Sequence, residues 1–215
     1  MIKGVIFDLD GTLLDSMTVW SSIDREFLEE NGVKDIPSDI SDIVKKMTVD
    51  TSSQYFIDRF GLSCTKEYVI HRIEEMVRDR YENKIPLKPH AAEVMDFLDS
   101  RSIPYGVATA TYKGLAEAAL RRCGVYDRIG FLLTDREYPQ GKNYPDIFLG
   151  AAKLLNAQPR DVLVVEDSLH CIETAKGAGF LTVGVYDPVS EADGDDIKKI
   201  SDHYVRSLDE IINII

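Results

Sequence analysis

Apolar positions follow two different rhythms along the chain. Residues 3–9, KGVIFDL, carry the unbroken run Val5-Ile6-Phe7, which predicts a buried strand. From Ser16 to about Lys84 the rhythm is helical. Val19, Ile23, Phe27 and Leu28 recur at helix spacing, then Ile40, Ile43, Val44 and Met47, then Tyr55, Phe56 and Phe60, and finally the stretch from Tyr68 to Tyr81. Gly32, Pro37 and Gly61 punctuate these helices. Residues 83–89, NKIPLKP, read as a linker that closes the helical block.

Beyond Pro89 strands and helices alternate. The pattern predicts helices over 90–101, 112–123, 145–156 and 168–178, a weaker one near 190–200 and a last one at 207–213. Between them it predicts strands at 104–109 (PYGVAT), 129–134, 161–166 (DVLVVE), 181–185 and a short one near 204–205. Such alternation predicts an α/β fold, a Rossmann-like parallel sheet sandwiched by helices. The helical block is inserted just after the first strand. Residues 1–14 and 86–215 are thus expected to form the core and 15–85 an α-helical cap domain. DVLVVE is apolar enough to be a central strand covered on both faces.

Composition narrows the partners. The length of 215 residues fits one large domain, or a core with a smaller insertion. No apolar run reaches the ~18 residues of a membrane span, so no membrane partner is expected. MIKGVIFDLD enters a strand directly, without signal-peptide architecture. Cys64, Cys123 and Cys171 are odd in number, widely spaced and lack a CxxC, which suggests reduced thiols and a cytoplasmic location. A net charge of −12 repels nucleic acid, and no long basic stretch offers a footprint. No long heptad or apolar stripe appears, so a monomer is expected. A small anionic substrate would need a local positive site built from a metal ion and one or two lysines.

Ligands of an open parallel sheet bind beyond the carboxyl ends of its strands. The first predicted strand delivers Asp8 and Asp10 there, 104–109 delivers Thr109 and Thr111, and 161–166 delivers Glu166, Asp167 and Ser168. The loop 135–144 adds Lys142. Carboxylates from neighbouring strand ends make an oxygen-rich site suited to Mg²⁺. Lys142 and the Thr109 hydroxyl can hold phosphate oxygens. Backbone N–H groups after Thr109, beginning at Ala110, can add donors. Gly11 permits a tight turn behind the carboxylates.

The motif Asp8-Leu9-Asp10-Gly11-Thr12 after an apolar strand resembles the haloacid dehalogenase superfamily of aspartate-nucleophile phosphatases. Thr109 is similar to its second motif, and Lys142 with Pro145-Asp146-Ile147-Phe148 to its third. Val164-Val165-Glu166-Asp167-Ser168, with Ala175, Gly177, Ala178 and Gly179, is similar to its fourth. The resemblance spans essentially the whole chain, and four motifs in order are far more specific than one. A helical insert between the first two motifs resembles the cap of the subclass that contains β-phosphoglucomutase and phosphoglycolate phosphatase. The resemblance implies that Asp8 attacks phosphorus, giving a transient aspartyl-phosphate. It implies that Asp10 protonates the leaving oxygen and then takes a proton from water. Mg²⁺ would be held by Asp8, the Asp10 backbone carbonyl and Asp167, with Glu166 bound directly or through water. Thr109 and Lys142 would bind phosphate, and Lys142 would orient Asp8.

A cap of this kind admits a small phosphorylated metabolite. Its candidate substrate-facing residues are Trp20, Lys45, Lys46, Met47 and Thr48, with Trp20 either stacking on substrate or packing inside the cap. Where β-phosphoglucomutase has a cap histidine this chain has Trp20, and where the mutase grips a second phosphate it has Val49 and Val77. These departures favour a hydrolase over the mutase. Asn143 replaces a usual proline and Cys171 a usual glycine. The rival from another class is a non-catalytic phosphometabolite-binding protein, which would ordinarily have lost Asp8, Asp10 or Lys142. Asp15 and Ser16 are expected to cap the first cap helix. His71, His90, His170 and His203 lack metal-ligand spacing and are expected at the surface.

Overall fold

The computed structural model describes residues 2–44, 47, 49–134, 137–138 and 140–215. Lys45, Lys46 and Thr48, expected to face substrate, lie outside the described residues, as do the side chains of Trp20 and Val49. The chain forms two compact units, Met1–Ser16 with Ile85–Ile215, and Met17–Lys84.

The first unit opens with β1 (Gly4–Phe7). The second unit is helical: α1 (Met17–Glu30), α2 (Ile40–Val44), α3 (Val49–Phe60) and α4 (Lys66–Asn83). Helix α4 buries Val69, Ile73, Met76, Val77 and Tyr81, the stripe that a 3.6-residue period creates. Phe27 of α1 stacks on Phe56 of α3 at 5.9 Å between ring centroids. The Thr65 hydroxyl starts α4 by accepting the Tyr68 N–H (3.3 Å). Arg72 grips both carboxylate oxygens of Glu30, at 3.0 and 2.9 Å. Among the described residues, no helix is long and apolar enough to cross a membrane.

The first unit continues through α5 (Ala91–Ser100), β2 (Tyr105–Ala108), α6 (Lys113–Arg122), β3 (Leu132–Leu133) and α7 (Asp146–Leu154). It closes with β4 (Val162–Glu166), α8 (Leu169–Gly177), β5 (Leu181–Val185), α9 (Gly194–Ile200) and β6 (His203–Val205). The six strands form one parallel sheet in the order β3-β2-β1-β4-β5-β6. This is the expected α/β architecture, with DVLVVE paired between β1 and β5. Ile6, Ala108, Leu133, Val162 and Val164 pack with Ile147, Phe148 and Ala151 of α7 and Ala175 of α8. Val5, Phe7, Leu163 and Val165 point the other way, as the two-residue period of a strand requires, and are also buried. Both faces are therefore core.

Two elements differ from the sequence expectation. The strand expected over 129–134 shrinks to Leu132–Leu133, an edge strand paired only to β2, with its approach still bonded to β2 through Gly130 N–H to Tyr105 O (2.8 Å) and Val107 N–H to Phe131 O (3.0 Å). The last expected helix is a 3₁₀ helix, Leu208–Asn213, entered through a capping box between Ser207 and Glu210. The four histidines are exposed, and among the described residues the cysteines are free.

Residues on either side of the inserted unit run side by side. Leu14 bridges Leu87 in antiparallel sense, Asp15 N–H donates to Pro86 O (3.0 Å), and Lys88 N–H donates to Leu13 O (2.8 Å).

Gly184 of β5 shows how tightly α9 and β6 pack against this strand. A Cβ there would stand 2.4 Å from Ile197 Cγ2 and 3.1 Å from Tyr204 Cδ2. Gly184→Ala should lose roughly 1–3 kcal/mol in urea unfolding, the usual range for overpacking; an unchanged midpoint would show that α9 yields freely.

Candidate active site

The strand order reverses at β1: the chain runs from β1 to β2 to β3, then returns to β4 on the other side of β1. The crevice beyond the carboxyl ends of β1 and β4 is thus the switch point at which such sheets bind ligands. Register decides what stands there. Phe7 pairs with Val165, and the Asp8 N–H donates to Val165 O (2.9 Å), so Asp8 and Glu166 leave adjacent strands at one level. One oxygen each of Asp8, Glu166 and Asp167 lie within 4.8 Å of one another, and all three residues are buried.

Lys142 completes the cluster. It sits on a 3₁₀ turn, Gly141–Asn143, and is buried. Its Nζ donates to Asp8 Oδ1 and to Glu166 Oε2, the latter at 2.7 Å. Glu166 Oε1 accepts the backbone N–H groups of Asp167 and Ser168, each at 3.2 Å. Both Glu166 oxygens therefore already serve to hold Lys142 and the start of the loop into α8.

Asp167 is held differently. Its Oδ2 accepts the Ser190 hydroxyl (3.2 Å) and its Oδ1 faces the Thr12 hydroxyl at 3.5 Å. Gly11 lies against the same carboxylate with φ +83°, and a Cβ at Gly11 would stand 2.5 Å from Asp167 Oδ2. The glycine is required both by the left-handed turn and by this approach.

Asp10 is not one of the three clustered carboxylates. Its Oδ1 accepts the Ser16 hydroxyl (2.6 Å), and its Oδ2 accepts the Thr111 hydroxyl. Ser16 directly precedes α1, and its hydroxyl hydrogen goes to Asp10. Thr109 directly follows β2 with its Oγ1 accepting the Thr111 N–H (3.0 Å); the hydroxyl keeps its own hydrogen as a donor. Ala110 follows on an exposed bend.

Of the residues expected from sequence, Asp8, Lys142, Glu166 and Asp167 are drawn together, and Thr111 ties Asp10 to the end of β2. Trp20 and Lys46 cannot be placed in this set: Lys46 and the Trp20 side chain lie outside what is described. Thr12, Ser16 and Ser190 were not read from sequence as partners of the carboxylates. Nothing in a lone hydroxyl residue signals such a role, because its partner is fixed only by the fold.

Charges in the cluster oppose one another. Burial, and next the charge of Glu166, push the Asp8 carboxyl well above the ordinary range, against the pull of Lys142. Burial and then Glu166 push Asp167 up to about 8. Burial alone would lower the Lys142 ammonium, but Asp8 and Glu166 outweigh it and hold it charged. Burial pushes the Cys171 thiol upward, so it is an inert packing group. A cleft of about 310 Å³ lies apart from the cluster, with Lys88, Arg206 and Asp187 in its wall.

The sequence model of the haloacid dehalogenase-like hydrolases matches residues 2–179. The chain belongs to this family. A "Phosphorylated carbohydrates phosphatase" of Thermotoga maritima is 26% identical over 178 residues, covering 83% of this chain and 82% of the relative. A "Beta-phosphoglucomutase" of Bacillus subtilis is 27% identical over 197 residues, covering 86% and 83%. A crystal structure from Thermotoga maritima shares the fold with a TM-score of 0.86 at 24% identity, covering 99% of this chain and 98% of that one. The family assignment agrees with a parallel sheet carrying a buried acidic cluster at its switch point.

The cluster predicts an unusual pH response in chelator. A carboxyl raised from about 4 unfolded to about 8 folded favours the fold while protonated, and this is lost as pH rises through that window. In EDTA, Asp167→Asn should therefore gain at least about 1 kcal/mol over wild type between pH 4.5 and pH 8. Thermal melts showing a pH-independent difference would contradict it.

Proposed function

We propose that the protein is a Mg²⁺-dependent phosphatase of small phosphomonoesters, such as sugar phosphates, working through an aspartyl-phosphate. The observation that carries this reading is Lys142 lying between Asp8 and Glu166, beside Asp167, at the sheet's switch point. The relatives named as a phosphatase of phosphorylated carbohydrates and as a phosphosugar mutase support the substrate class.

The donor set fits the metal. Three buried carboxylates against one ammonium leave two negative charges that a divalent cation would balance, and hard oxygen donors suit Mg²⁺. Asp8, Asp167 and the Asp10 backbone carbonyl would hold it, with Glu166 direct or through water. When bound, it supplies positive charge that lets a phosphate dianion approach the carboxylates.

The chain's own groups supply the rest. Lys142 fixes the Asp8 carboxylate and offers its ammonium to phosphate oxygens. The Thr109 hydroxyl and the N–H groups from Ala110 onward add donors where charge develops. An Asp8 oxygen forms the bond to phosphorus as the ester P–O bond breaks, and Asp10 gives the leaving oxygen its proton. Asp10 then takes a proton from the water that attacks phosphorus, which frees Asp8 and inorganic phosphate. Ser16 and Thr111 hold the Asp10 carboxylate between them.

The domain reading belongs to the same proposal: core 1–14 with 86–215, and a cap over 15–85 that selects substrate through residues such as Trp20 and Lys46. Val77, where the mutase would carry a charged grip, is buried within the helical unit and cannot serve as one. This favours hydrolysis over transfer to a second sugar position.

Phosphate release from a panel of small phosphomonoesters tests the reading. Release should require Mg²⁺, cease in EDTA, and fall by ~10²-fold or more in Asp8→Asn. Interconversion of sugar phosphates without net phosphate release would instead establish a mutase. Retained activity in Asp8→Asn would remove the nucleophile.

A further inference from the structure

Resting on the metal-dependent reading above, we propose that Ser190 is a positioning residue for Asp167. The buried Lys88–Asp187 ion pair holds the Ser190 turn in place, so divalent-cation affinity is set partly outside the carboxylate cluster.

Asp167 leaves β4 without the ion pair to Lys142 that Asp8 and Glu166 make. Asp8 is gripped by Lys142, and Glu166 by Lys142 and two backbone N–H groups. Asp167 instead depends on hydroxyls. Thr12 stands at 3.5 Å, the outer limit of a hydrogen bond, whereas the Ser190 hydroxyl donates to Oδ2 at 3.2 Å. A donor on one oxygen restricts the rotation of the carboxylate and leaves lone pairs available to a metal ion.

Ser190 can do this only if its turn is rigid. It lies on the 3₁₀ helix Pro188–Asp193 that follows β5. Asp187 starts that helix: its Oδ1 accepts the Val189 N–H (2.9 Å), and its carbonyl accepts the Ser190 N–H (3.1 Å). Asp187 Oδ2 pairs with Lys88 Nζ at 2.9 Å, with the two side chains 2% and 11% exposed. Lys88 also donates to Tyr186 O (3.1 Å), and its backbone N–H holds Leu13 O (2.8 Å), one residue beyond Thr12. One lysine thus links the Ser190 turn to the turn that carries Asp10, Gly11 and Thr12. A pair this buried is strained by removal of either partner.

The test is titration of Mg²⁺ alone into chelator-stripped full-length protein, by calorimetry, with the unfolding midpoint in EDTA measured alongside. Ser190→Ala should weaken Mg²⁺ binding ~10-fold or more, the usual effect of losing an outer partner of a metal ligand. Ser190→Thr keeps the hydroxyl and should bind within ~3-fold of wild type. Asp187→Asn keeps the cap acceptor but loses the charge that holds Lys88, and should weaken binding by ~3-fold or more; binding equal to wild type would overturn the role given to the ion pair. Asp167→Asn is the control on the underlying reading and should abolish binding. If Asp167→Asn binds normally, the metal reading itself fails. If Asp167→Asn fails to bind while Ser190→Ala binds like wild type, only the Ser190 proposal is overturned. If Ser190→Ala also lowers the EDTA midpoint, the threonine variant decides: binding as weak as alanine's overturns the proposal, and recovery supports it.

Discussion

Three carboxyl groups crowd the ends of two adjacent strands, and they can do so only because a buried lysine stands among them. The register that pairs Phe7 with Val165 forces Asp8 and Glu166 together, and Asp167 follows at once. Without Lys142 the set would repel itself in a water-poor crevice. The lysine has some distance to cover. It follows β3, two strands from β1, and strands lie about 4.8 Å apart. The long Lys142 side chain, presented on the turn Gly141–Asn143, reaches both partners. The connection from β3 to β4 accordingly carries a 3₁₀ turn, Gly141–Asn143, ahead of its crossover helix α7.

Asp8 and Asp10 are two residues apart and occupy different chemical surroundings. Asp8 extends the line of β1 into the buried cluster. The left-handed turn at Gly11 carries Asp10 to a place where two hydroxyls, from Ser16 and Thr111, meet its two oxygens. Two carboxylates with separate environments suit the separate duties proposed for them, nucleophile and proton carrier.

Much of this was legible in the sequence for physical reasons. Buried parallel strands must be apolar throughout, so GVIF and VLVVE stood out, and strand ends in such a sheet are where polar groups converge. Helix spacing marked α1 and α4, because each buries one stripe. The shortening of β3 was not legible, since an edge strand's length depends on its neighbour and not on its own residues. The 3₁₀ form of Leu208–Asn213 was hidden as well, because the helical pattern is the same over six residues. Thr12, Ser16 and Ser190 escaped notice for a different reason. A serine advertises no partner, and the bond from Ser190 to Asp167 spans 23 residues and a strand.

The ladder between residues 13–15 and 86–88 has a consequence for how such a protein can change. Leu14 and Leu87 already sit opposite one another, so the sheet meets the intervening helices as it would meet the loop of a hairpin. Loop-closure entropy grows only slowly with length. Exchanging that stretch for a longer, shorter or unrelated one leaves every strand pairing where it was. The carboxylate cluster belongs to a framework that inheritance can hold constant, while the inserted segment is free to change in length and sequence.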